Sequence, residues 1–400
     1  MESMKISQII SEEDMQEMKD ALNDVDISEA AEQIKEALEK ADNVPLNIAI
    51  TGQSGSGKST FINAIRGLGD EDEGAAETGV TETTMKPTPY PHPQHKNVIY
   101  WDLPGIGTPD FKANEYLEKV EFGKYDSFIL IGNERFTEND VLLAEAIHSK
   151  EKLYYYVRSK IDRDLNESKV RRPKSYNEEN IMKKLREHCN NSLRGKGVLE
   201  KYIFLISSFN PRLYDFPQLQ GALENDLPDI KRDMFRRCLP NMSFQVLENK
   251  RNVLKKLIWR LSLVQAVLAV VQIPQYPYVS DTSILELALK VFLTDFGLTE
   301  SGVQIMANTF NKDVKDLKSV IKSPLFNKTI DTGFVINLLE ENGMKAKMTA
   351  QYILSWVPII GILPSGGLSF SITYSMLNKC LDEIAEDAVN VLTKALEDFV

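Results

Sequence analysis

Cysteine and histidine are scarce in this sequence. Its 400 residues include three cysteines and four histidines, none in a C-x-x-C pair or in the spacing of a metal site. An odd number of widely spaced cysteines indicates a reducing compartment and argues against a disulfide framework. We therefore expect no zinc site. His92 and His95 lie in a proline-rich segment, and we expect both at the surface.

The sequence also lacks a basic run, although its charge is far from neutral. The net charge is −11, and residues 1–45 alone hold 13 acidic residues against 4 lysines. A nucleic-acid binder needs a basic face, so we expect no nucleic-acid partner. The N-terminus is acidic without an apolar stretch, and Glu2 replaces the glycine that N-myristoylation requires. The expected location is the cytosol.

The feature that carries most chemistry is a phosphate-binding loop. Residues 46–60 read LNIAITGQSGSGKST: a strand-like run, the pattern G-x-x-x-x-G-K-[ST], then a helix-like segment. Such a loop turns backbone N–H groups and a helix N-terminus toward a triphosphate. We expect Lys58 to neutralise the β- and γ-phosphates and Ser59 to bind Mg²⁺. The residues predicted to bind the nucleotide here are Gly52, Gly55, Ser56, Gly57, Lys58, Ser59 and Thr60.

A second phosphate-side motif, Asp102-Leu103-Pro104-Gly105, directly follows the apolar run of residues 98–101. An aspartate at a strand end holds Mg²⁺ through a water, and a glycine N–H bonds to the γ-phosphate. Alone, D-x-x-G fits an ordinary turn. Its place on the next predicted core strand makes Asp102 a candidate metal ligand and Gly105 a candidate catalytic residue.

A base-recognition motif follows the strand-like run of residues 153–157. Ser159-Lys160-Ile161-Asp162 resembles the [NT]-K-x-D motif of GTPases, with serine in the first position. Asp162 is expected to accept hydrogen bonds from the guanine ring N–H and amine, which adenine does not offer. Lys160 is expected to lie along the base. The alternative is a surface Lys/Asp pair, and the order of the three motifs favours GTP.

Two further segments carry weaker signals. Ser207 and Ser208 follow the fourth strand-like run, where GTPases present a backbone N–H to the guanine oxygen. The polar segment 77–84 lies between the two phosphate-side motifs, and one of its threonines is expected to close over Mg²⁺ and the γ-phosphate. Thr78 and Thr84 are both candidates for this role. An ordinary surface loop is the alternative.

The residue after Gly105 departs from the usual GTPase pattern. A glutamine that orients the attacking water is replaced here by Ile106, followed by Gly107. Because isoleucine cannot orient water, we expect slow hydrolysis by a single copy and acceleration by a partner or a second copy. Two hypotheses follow: a GTPase activated by self-assembly, and a scaffold in which GTP gates oligomerisation and membrane contact with negligible turnover.

The periodic segments predict an α/β domain joined to an all-helical one. Strand-like and helix-like segments alternate from residue 46 to about 230, which predicts a mostly parallel sheet with the ligand at the carboxyl ends of its strands. The other predicted strands are 98–101, 127–131, 153–157 and 202–206. The predicted helices outside this region are 7–43, 240–272, 283–296, 299–309, 311–322, 333–345 and 375–398. The predicted domains are N-terminal helices over 1–44, a nucleotide domain over 45–233 and a helical domain over 234–400.

Four segments carry a family resemblance. The phosphate loop, Trp101–Thr108, Tyr90-Pro91-His92-Pro93 and Tyr214-Asp215-Phe216-Pro217 resemble the immunity-related (interferon-inducible) GTPases, and Lys58 resembles their effector-type branch. The resemblance spans nearly the whole chain. It implies a Ras-like P-loop GTPase domain on a helical domain built from N- and C-terminal segments, a dynamin-like architecture.

The resemblance also implies how such a protein works. It implies GTP-dependent homodimers through the nucleotide face, higher oligomers, partners among family homologues and reversible attachment to membranes around intracellular pathogens, in cell-autonomous innate immunity. A switch glutamate takes part in activation across the dimer in that family, and Glu82 occupies the matching position here. The expected location is thus the cytoplasm, with peripheral association to vacuolar or endomembranes. Glu2 removes the acyl attachment site that some members have.

Residues 348–378 contain no charged side chain. The window is long enough to span a bilayer, but Pro358, Pro364 and the pair Gly366-Gly367 are expected to break any single helix. A buried or hairpin helix pair in the helical domain is the favoured interpretation. Insertion into a membrane surface and a true span are the alternatives.

Overall fold

The computed structural model describes residues 44–79, 86–106, 112–132, 137–193, 202–271, 282–346 and 364–397. The chain divides into two compact units, with the boundary after Pro240. The first unit begins at Val44, and Asn241 opens the helical part of the second. The predicted N-terminal helices of residues 7–43 lie outside the described residues and stay a prediction.

A six-stranded sheet with the order β2-β3-β1-β4-β5-β6 forms the first unit. Only β2 is antiparallel to its neighbour, so the prediction of a mostly parallel sheet is confirmed. The central strand β4 is buried at every position, as expected where helices cover both faces. The strands are Leu46–Gly52 (β1), Thr88–Pro91 (β2), Val98–Asp102 (β3), Ser127–Gly132 (β4), Leu153–Arg158 (β5) and Ile203–Leu205 (β6).

Strand β2 was not among the predicted strands. It lies at the edge of the sheet and contains Pro89 and Pro91, which lack the N–H that a central strand must donate. An edge strand has one unpaired side and tolerates them. Two prolines in four residues therefore obscured a strand that pairing with β3 maintains.

Helices follow most strands of the first unit. The helices that bear on the site begin directly after the loops that leave β1 and β5. The α-helices among the described residues of this unit are Lys58–Ile65 (α1), Ala113–Lys119 (α2), Glu138–Ser149 (α3), Ile161–Arg171 (α4), Glu178–Leu193 (α5), Phe216–Asp226 (α6) and Asp229–Cys238 (α7).

The prediction that His92 and His95 lie at the surface is wrong. Their side chains are only 4% and 8% exposed, and the two rings lie 5.5 Å apart. Nδ1 of His92 accepts the backbone N–H groups of Gln94 and His95, each at 3.3 Å. The imidazole thus closes the turn between β2 and β3, which a composition argument does not detect.

The Tyr214–Pro217 segment has a structural role. The Asp215 carboxylate accepts the backbone N–H of Leu205 at 2.8 Å and the guanidinium of Arg186 at 2.5 Å. Phe216 is fully buried, with its ring centroid 5.7 Å from that of Phe61 on α1. This segment therefore fastens β6 to α5 and to the helix that follows the phosphate loop.

All the secondary-structure elements among the described residues of the second unit are helices. Seven helices surround one apolar core, which includes these residues of the helix predicted over 375–398: Leu377, Leu381, Ile384, Ala388, Val391, Leu392 and Ala395. The helices are Phe244–Val271 (α8), Thr282–Asp295 (α9), Glu300–Phe310 (α10), Val314–Lys318 (α11), Pro324–Asn327 (α12), Thr332–Ala346 (α13) and Pro364–Leu396 (α14).

Two helix predictions in this unit need correction. Helix α11 covers only Val314–Lys318 of the predicted 311–322, because the Asp313 side chain caps a helix start by accepting the N–H of Lys315. Helix α14 begins at Pro364 instead of residue 375. Proline is tolerated in the first turn, and the helix continues through Gly366-Gly367, so the prediction that this glycine pair breaks the helix is wrong.

The uncharged window 348–378 is partly described. Phe370, Met376 and Leu377 of α14 are buried, and Phe370 packs edge-on against Trp259 of α8 at 4.9 Å. None of the helices among the described residues has the length and apolar character needed to cross a bilayer. The described part of the window therefore agrees with the buried-helix interpretation.

Candidate functional site

The parallel strands bring the four predicted motifs to one edge of the sheet. Register pairs Ile50 with Asp102, and Arg158 with both Gly132 and Leu205. The carboxyl ends of β1, β3, β5 and β6 therefore point the same way. The phosphate loop, D-x-x-G, the base motif and the Ser207-Ser208 loop each follow one of these ends, which is where ligands bind in open α/β sheets.

The phosphate loop requires glycine at two described positions. Gly52 has φ 142°, and a Cβ built on it would lie 2.1 Å from the carbonyl oxygen of Ile131 on the neighbouring strand. Gly57 has φ 93° and stands directly before α1. A side chain at Gly52 would force the strands apart, and one at Gly57 would strain the helix start. The loop can therefore curl as the motif predicts.

The phosphate loop and Asp102 form the phosphate end of the site. The side chains of Lys58 and Ser59 make hydrogen bonds within this end. Lys58 Nζ donates to the carbonyl oxygens of Gly52 at 3.3 Å and Gln53 at 3.1 Å, and the residue is 9% exposed. Ser59 Oγ donates to Asp102 Oδ2 at 3.2 Å. The two predicted metal ligands from β3 and α1 are thus in contact. A hydroxyl and a carboxylate are hard oxygen donors of the kind that Mg²⁺ prefers.

The water-positioning position is apolar in structure as well as in sequence. The Ile106 side chain is fully buried and packs with Leu103 and Leu117 in the core of the unit. It therefore has no part in the cavity beside Gly105. No polar group at this position can orient a water.

The base end is held by side chains that bond to the phosphate loop. Ser159 Oγ donates to the carbonyl oxygen of Ser56 at 2.6 Å and also lies 3.1 Å from the carbonyl oxygen of Gly132, which accepts the Ser159 backbone N–H at 2.8 Å. Lys160 has a positive φ of 60°, and its Nζ donates to the carbonyl oxygen of Gly55 at 2.8 Å. The serine in the first motif position thus joins β4, β5 and the phosphate loop. The bond to the Gly55 carbonyl places the side chain of Lys160 along the wall of the cavity.

Asp162 lies in the first turn of α4 and faces the same cavity. Its Oδ1 is shielded from solvent and has no hydrogen-bond partner among the described residues. A buried carboxylate oxygen without a donor is unfavourable by about 1–3 kcal/mol or more. Two adjacent N–H donors on a ligand, as on guanine, would satisfy it. This is the observation in the structure that fits a guanine base best.

These groups line one cavity of about 370 Å³. Twelve of the predicted residues line it: Gly55, Gly57, Lys58, Ser59, Thr60, Thr78, Asp102, Gly105, Ser159, Lys160, Asp162 and Ser208. Gly52, Ser56 and Ser207 are buried behind the wall. Glu82 and Thr84 lie outside the described residues, so the choice between Thr78 and Thr84 stays open. The binding roles of all these residues stay predictions.

Four lining residues were not predicted from sequence: Ser54, Gly79, Arg163 and Phe209. Ser54 and Gly79 extend motifs that were identified. Phe209 is 72% exposed, and it follows Ser207-Ser208 directly in the loop after β6. An aromatic residue beside a base-recognition loop is the signal that could have identified it, because aromatic rings stack on nucleobases.

The chain is similar to characterised families along both units. A family model described as Interferon-inducible GTPase (IIGP) matches residues 11–395. Interferon-inducible GTPase 5 of Bos taurus is 38% identical over 390 residues, which cover 98% of this chain and 84% of that protein. Interferon-gamma-inducible GTPase 10 of Mus musculus is 37% identical over 396 residues, with coverage of 98% and 92%. Among solved structures, a bacterial dynamin pair is 14% identical with a TM-score of 0.36, covering 100% of this chain and 78% of that chain.

Proposed function

This chain belongs to the interferon-inducible GTPase family, and from that premise we propose that it binds GTP with Mg²⁺, hydrolyses it slowly as a single copy and self-assembles when GTP is bound. The proposed nucleotide contacts are those of the cavity described above. Lys58 neutralises the phosphates, Ser59 and Asp102 serve Mg²⁺, and Asp162 reads the guanine. The proposed setting is innate immunity, as the names of its relatives imply.

The observation that carries the proposal is the burial of Ile106. Among the described residues, the side chain at the place where GTPases orient the attacking water is the buried Ile106, beside a cavity lined by Lys58, Asp102 and Asp162. Chemistry on bound GTP then depends on a group supplied from elsewhere. We assign that group to a second copy that docks across the nucleotide face, with Glu82 and one switch threonine taking part.

The proposal also includes contact with membranes. Peripheral, reversible association with vacuolar or endomembranes from the cytoplasm needs only weak affinity per copy, because an oligomer presents many copies at once. Residues 369–378 are not assigned to this contact, since the side chains described there pack in the helical core. Family homologues are the other proposed partners, and nucleic acid is not among them.

A scaffold with negligible turnover is the second candidate, because a buried Ile106 fits it equally well. The specific GTPase activity of the full chain, measured across a wide range of protein concentrations, separates the two. Assembly-activated catalysis predicts that activity per molecule rises with concentration. An activity that stays flat and near zero would contradict it and favour the scaffold.

A matched pair of variants sharpens this experiment. Glu82→Ala is expected to bind GTP as the wild type does and to lose the rise with concentration. Glu115→Ala removes an exposed carboxylate of α2 that pairs with Lys112 at the surface, and it is expected to keep the rise. A full rise in both variants would remove Glu82 from the proposal while leaving assembly intact.

A further inference from the structure

The D-x-x-G segment is held by side chains on both sides of Gly105. On one side, the Tyr116 hydroxyl of α2 lies 2.9 Å from the carbonyl oxygen of Pro104. On the other, Asn139 Nδ2 of α3 donates to the carbonyl oxygen of Ile106 at 2.7 Å. The segment also bonds to the sheet, because the Leu103 N–H donates to Ile50 O at 2.9 Å. Gly105 thus lies between two fixed carbonyls.

The direction of the hydrogen bonds around Tyr116 follows from simple chemistry. A carbonyl oxygen only accepts, so the single hydroxyl proton of Tyr116 must go to Pro104 O. The buried Thr51 Oγ1 lies 2.8 Å from the same hydroxyl oxygen. Because the Tyr116 proton is directed at Pro104 O, Thr51 is the donor in that pair. A chain of hydrogen bonds therefore runs from Thr51 through Tyr116 to Pro104. It begins in β1 at the residue before the phosphate loop.

Burial supports this assignment of the proton. Removal of Tyr116 from water raises the pKa of its hydroxyl well above the usual value. The group is therefore protonated at neutral pH and available as a donor. It does not lose the proton that the Pro104 carbonyl needs.

The carbonyl of Pro104 and the N–H of Gly105 belong to one peptide unit. A trans peptide is planar, and its C=O and N–H point in opposite directions. Whatever fixes the direction of Pro104 O therefore fixes the direction of the Gly105 N–H. Gly105 itself lines the nucleotide cavity, so its N–H is the part of this peptide that a phosphate oxygen can meet.

We propose that Tyr116 is a positioning residue that aims the Gly105 N–H at the γ-phosphate of GTP. Thr51 holds the Tyr116 hydroxyl in place, and Asn139 holds the far side of the segment. The inference rests on the proposed function, in that it assumes GTP in the cavity. GDP has no γ-phosphate for this N–H to meet, so the arrangement favours GTP over GDP without affecting recognition of the base.

Tyr116→Phe tests this role, because it removes one hydroxyl and keeps the ring. The affinity for a non-hydrolysable GTP analogue is expected to fall roughly three- to tenfold, as for the loss of one hydrogen bond, while the affinity for GDP stays unchanged. Isothermal titration of the full chain with both nucleotides measures the ratio of the affinity for the GTP analogue to the affinity for GDP. Thr51→Val, which also preserves shape, is expected to lower the ratio in the same direction by less.

Tyr176→Phe is the matched control. Its hydroxyl bonds to Glu178 at the surface, at 3.2 Å, and its removal is expected to leave both affinities unchanged. Hydrogen–deuterium exchange of the peptide that contains Gly105, with the GTP analogue bound, gives a second readout. Exchange is expected to be faster in Tyr116→Phe than in the control.

An equal loss of affinity for both nucleotides in Tyr116→Phe would assign the hydroxyl a structural role and overturn the proposal. An unchanged ratio together with unchanged exchange would overturn it as well. The wild-type titration tests the proposed function separately. If the wild type bound neither guanine nucleotide, both proposals would fail, whereas an unchanged ratio in a variant that binds GTP removes only the positioning role.

Discussion

The two ends of the nucleotide cavity are built differently. At the base end, Ser159 and Lys160 are bonded to backbone carbonyls of the phosphate loop and of β4, and Asp162 Oδ1 has no donor among the described residues. At the phosphate end, the functional groups bond to their own surroundings: Lys58 to loop carbonyls and Ser59 to Asp102. Asp162 Oδ1 can therefore accept a donor from a ligand without losing a partner, whereas phosphate oxygens would compete with two loop carbonyls for the ammonium of Lys58.

This difference separates recognition of the base from discrimination between GTP and GDP. A base site that needs no rearrangement reads guanine equally in GTP and GDP. At the phosphate end, Lys58, Ser59 and Asp102 are proposed to meet the terminal phosphates and their metal ion, so the free energy of binding there should depend on the number of phosphates. We therefore expect changes at the base end to affect both nucleotides alike and changes at the phosphate end to affect GTP more.

The largest effect is expected from Lys58→Ala. Its ammonium is expected to bind phosphate oxygens in place of the loop carbonyls. Each hydrogen bond to a charged group contributes about 1.5–3 kcal/mol. With two such bonds lost, the affinity for GTP should fall at least about 100-fold, and more than the affinity for GDP. Titration calorimetry with both nucleotides measures this.

Lys112→Ala provides the comparison for that change. Lys112 is an exposed lysine of the same unit that pairs with Glu115, and its loss is expected to leave both affinities unchanged. An equal loss for GTP and GDP in Lys58→Ala would contradict the assignment of this lysine to the terminal phosphates.

A smaller effect is expected from Ser159→Ala at the base end. The change leaves the buried carbonyl of Ser56 without its short hydrogen bond and loosens the contact between the base loop and the phosphate loop. An unsatisfied buried group costs about 1–3 kcal/mol, so at the low end the affinity should fall about fivefold. The loss should be the same for GTP and GDP.

Ser149→Ala removes a serine-to-carbonyl bond of the same type, to Ala146 at the end of α3, and should leave binding unchanged. A GTP-selective loss in Ser159→Ala would break the distinction between the two ends. It would show that the base loop responds to the terminal phosphate.

Local patterns predicted the parts of the site that lie within one motif. Gly52, Lys58 and Ser59 follow from one loop pattern, and the strand runs before each motif set the sheet edge at which they meet. Contacts between segments could not be predicted in this way. Ser159 reaches Ser56 only because β5 and β1 flank β4 in the folded sheet.

The same limit applies to features that depend on hydrogen bonding far along the chain. The hydroxyl of Tyr116 on Pro104 and the amide of Asn139 on Ile106 join helices to the D-x-x-G segment, and no periodicity marks either residue. His92 is buried because its ring accepts two backbone N–H groups in a tight turn. Sequence composition assigned it to the surface because that bond is not visible in the composition.

Titration of Asp162→Asn with guanine and xanthine nucleotides is the most direct test of the central claim, that this cavity reads guanine through one carboxylate. The amide presents an N–H where the carboxylate presents an oxygen, so preference should move from GTP toward XTP. Asp229→Asn changes an aspartate that likewise lies in the first turn of a helix, α7, and should leave preference unchanged. Unchanged affinity for GTP in Asp162→Asn, with no gain for XTP, would contradict the account.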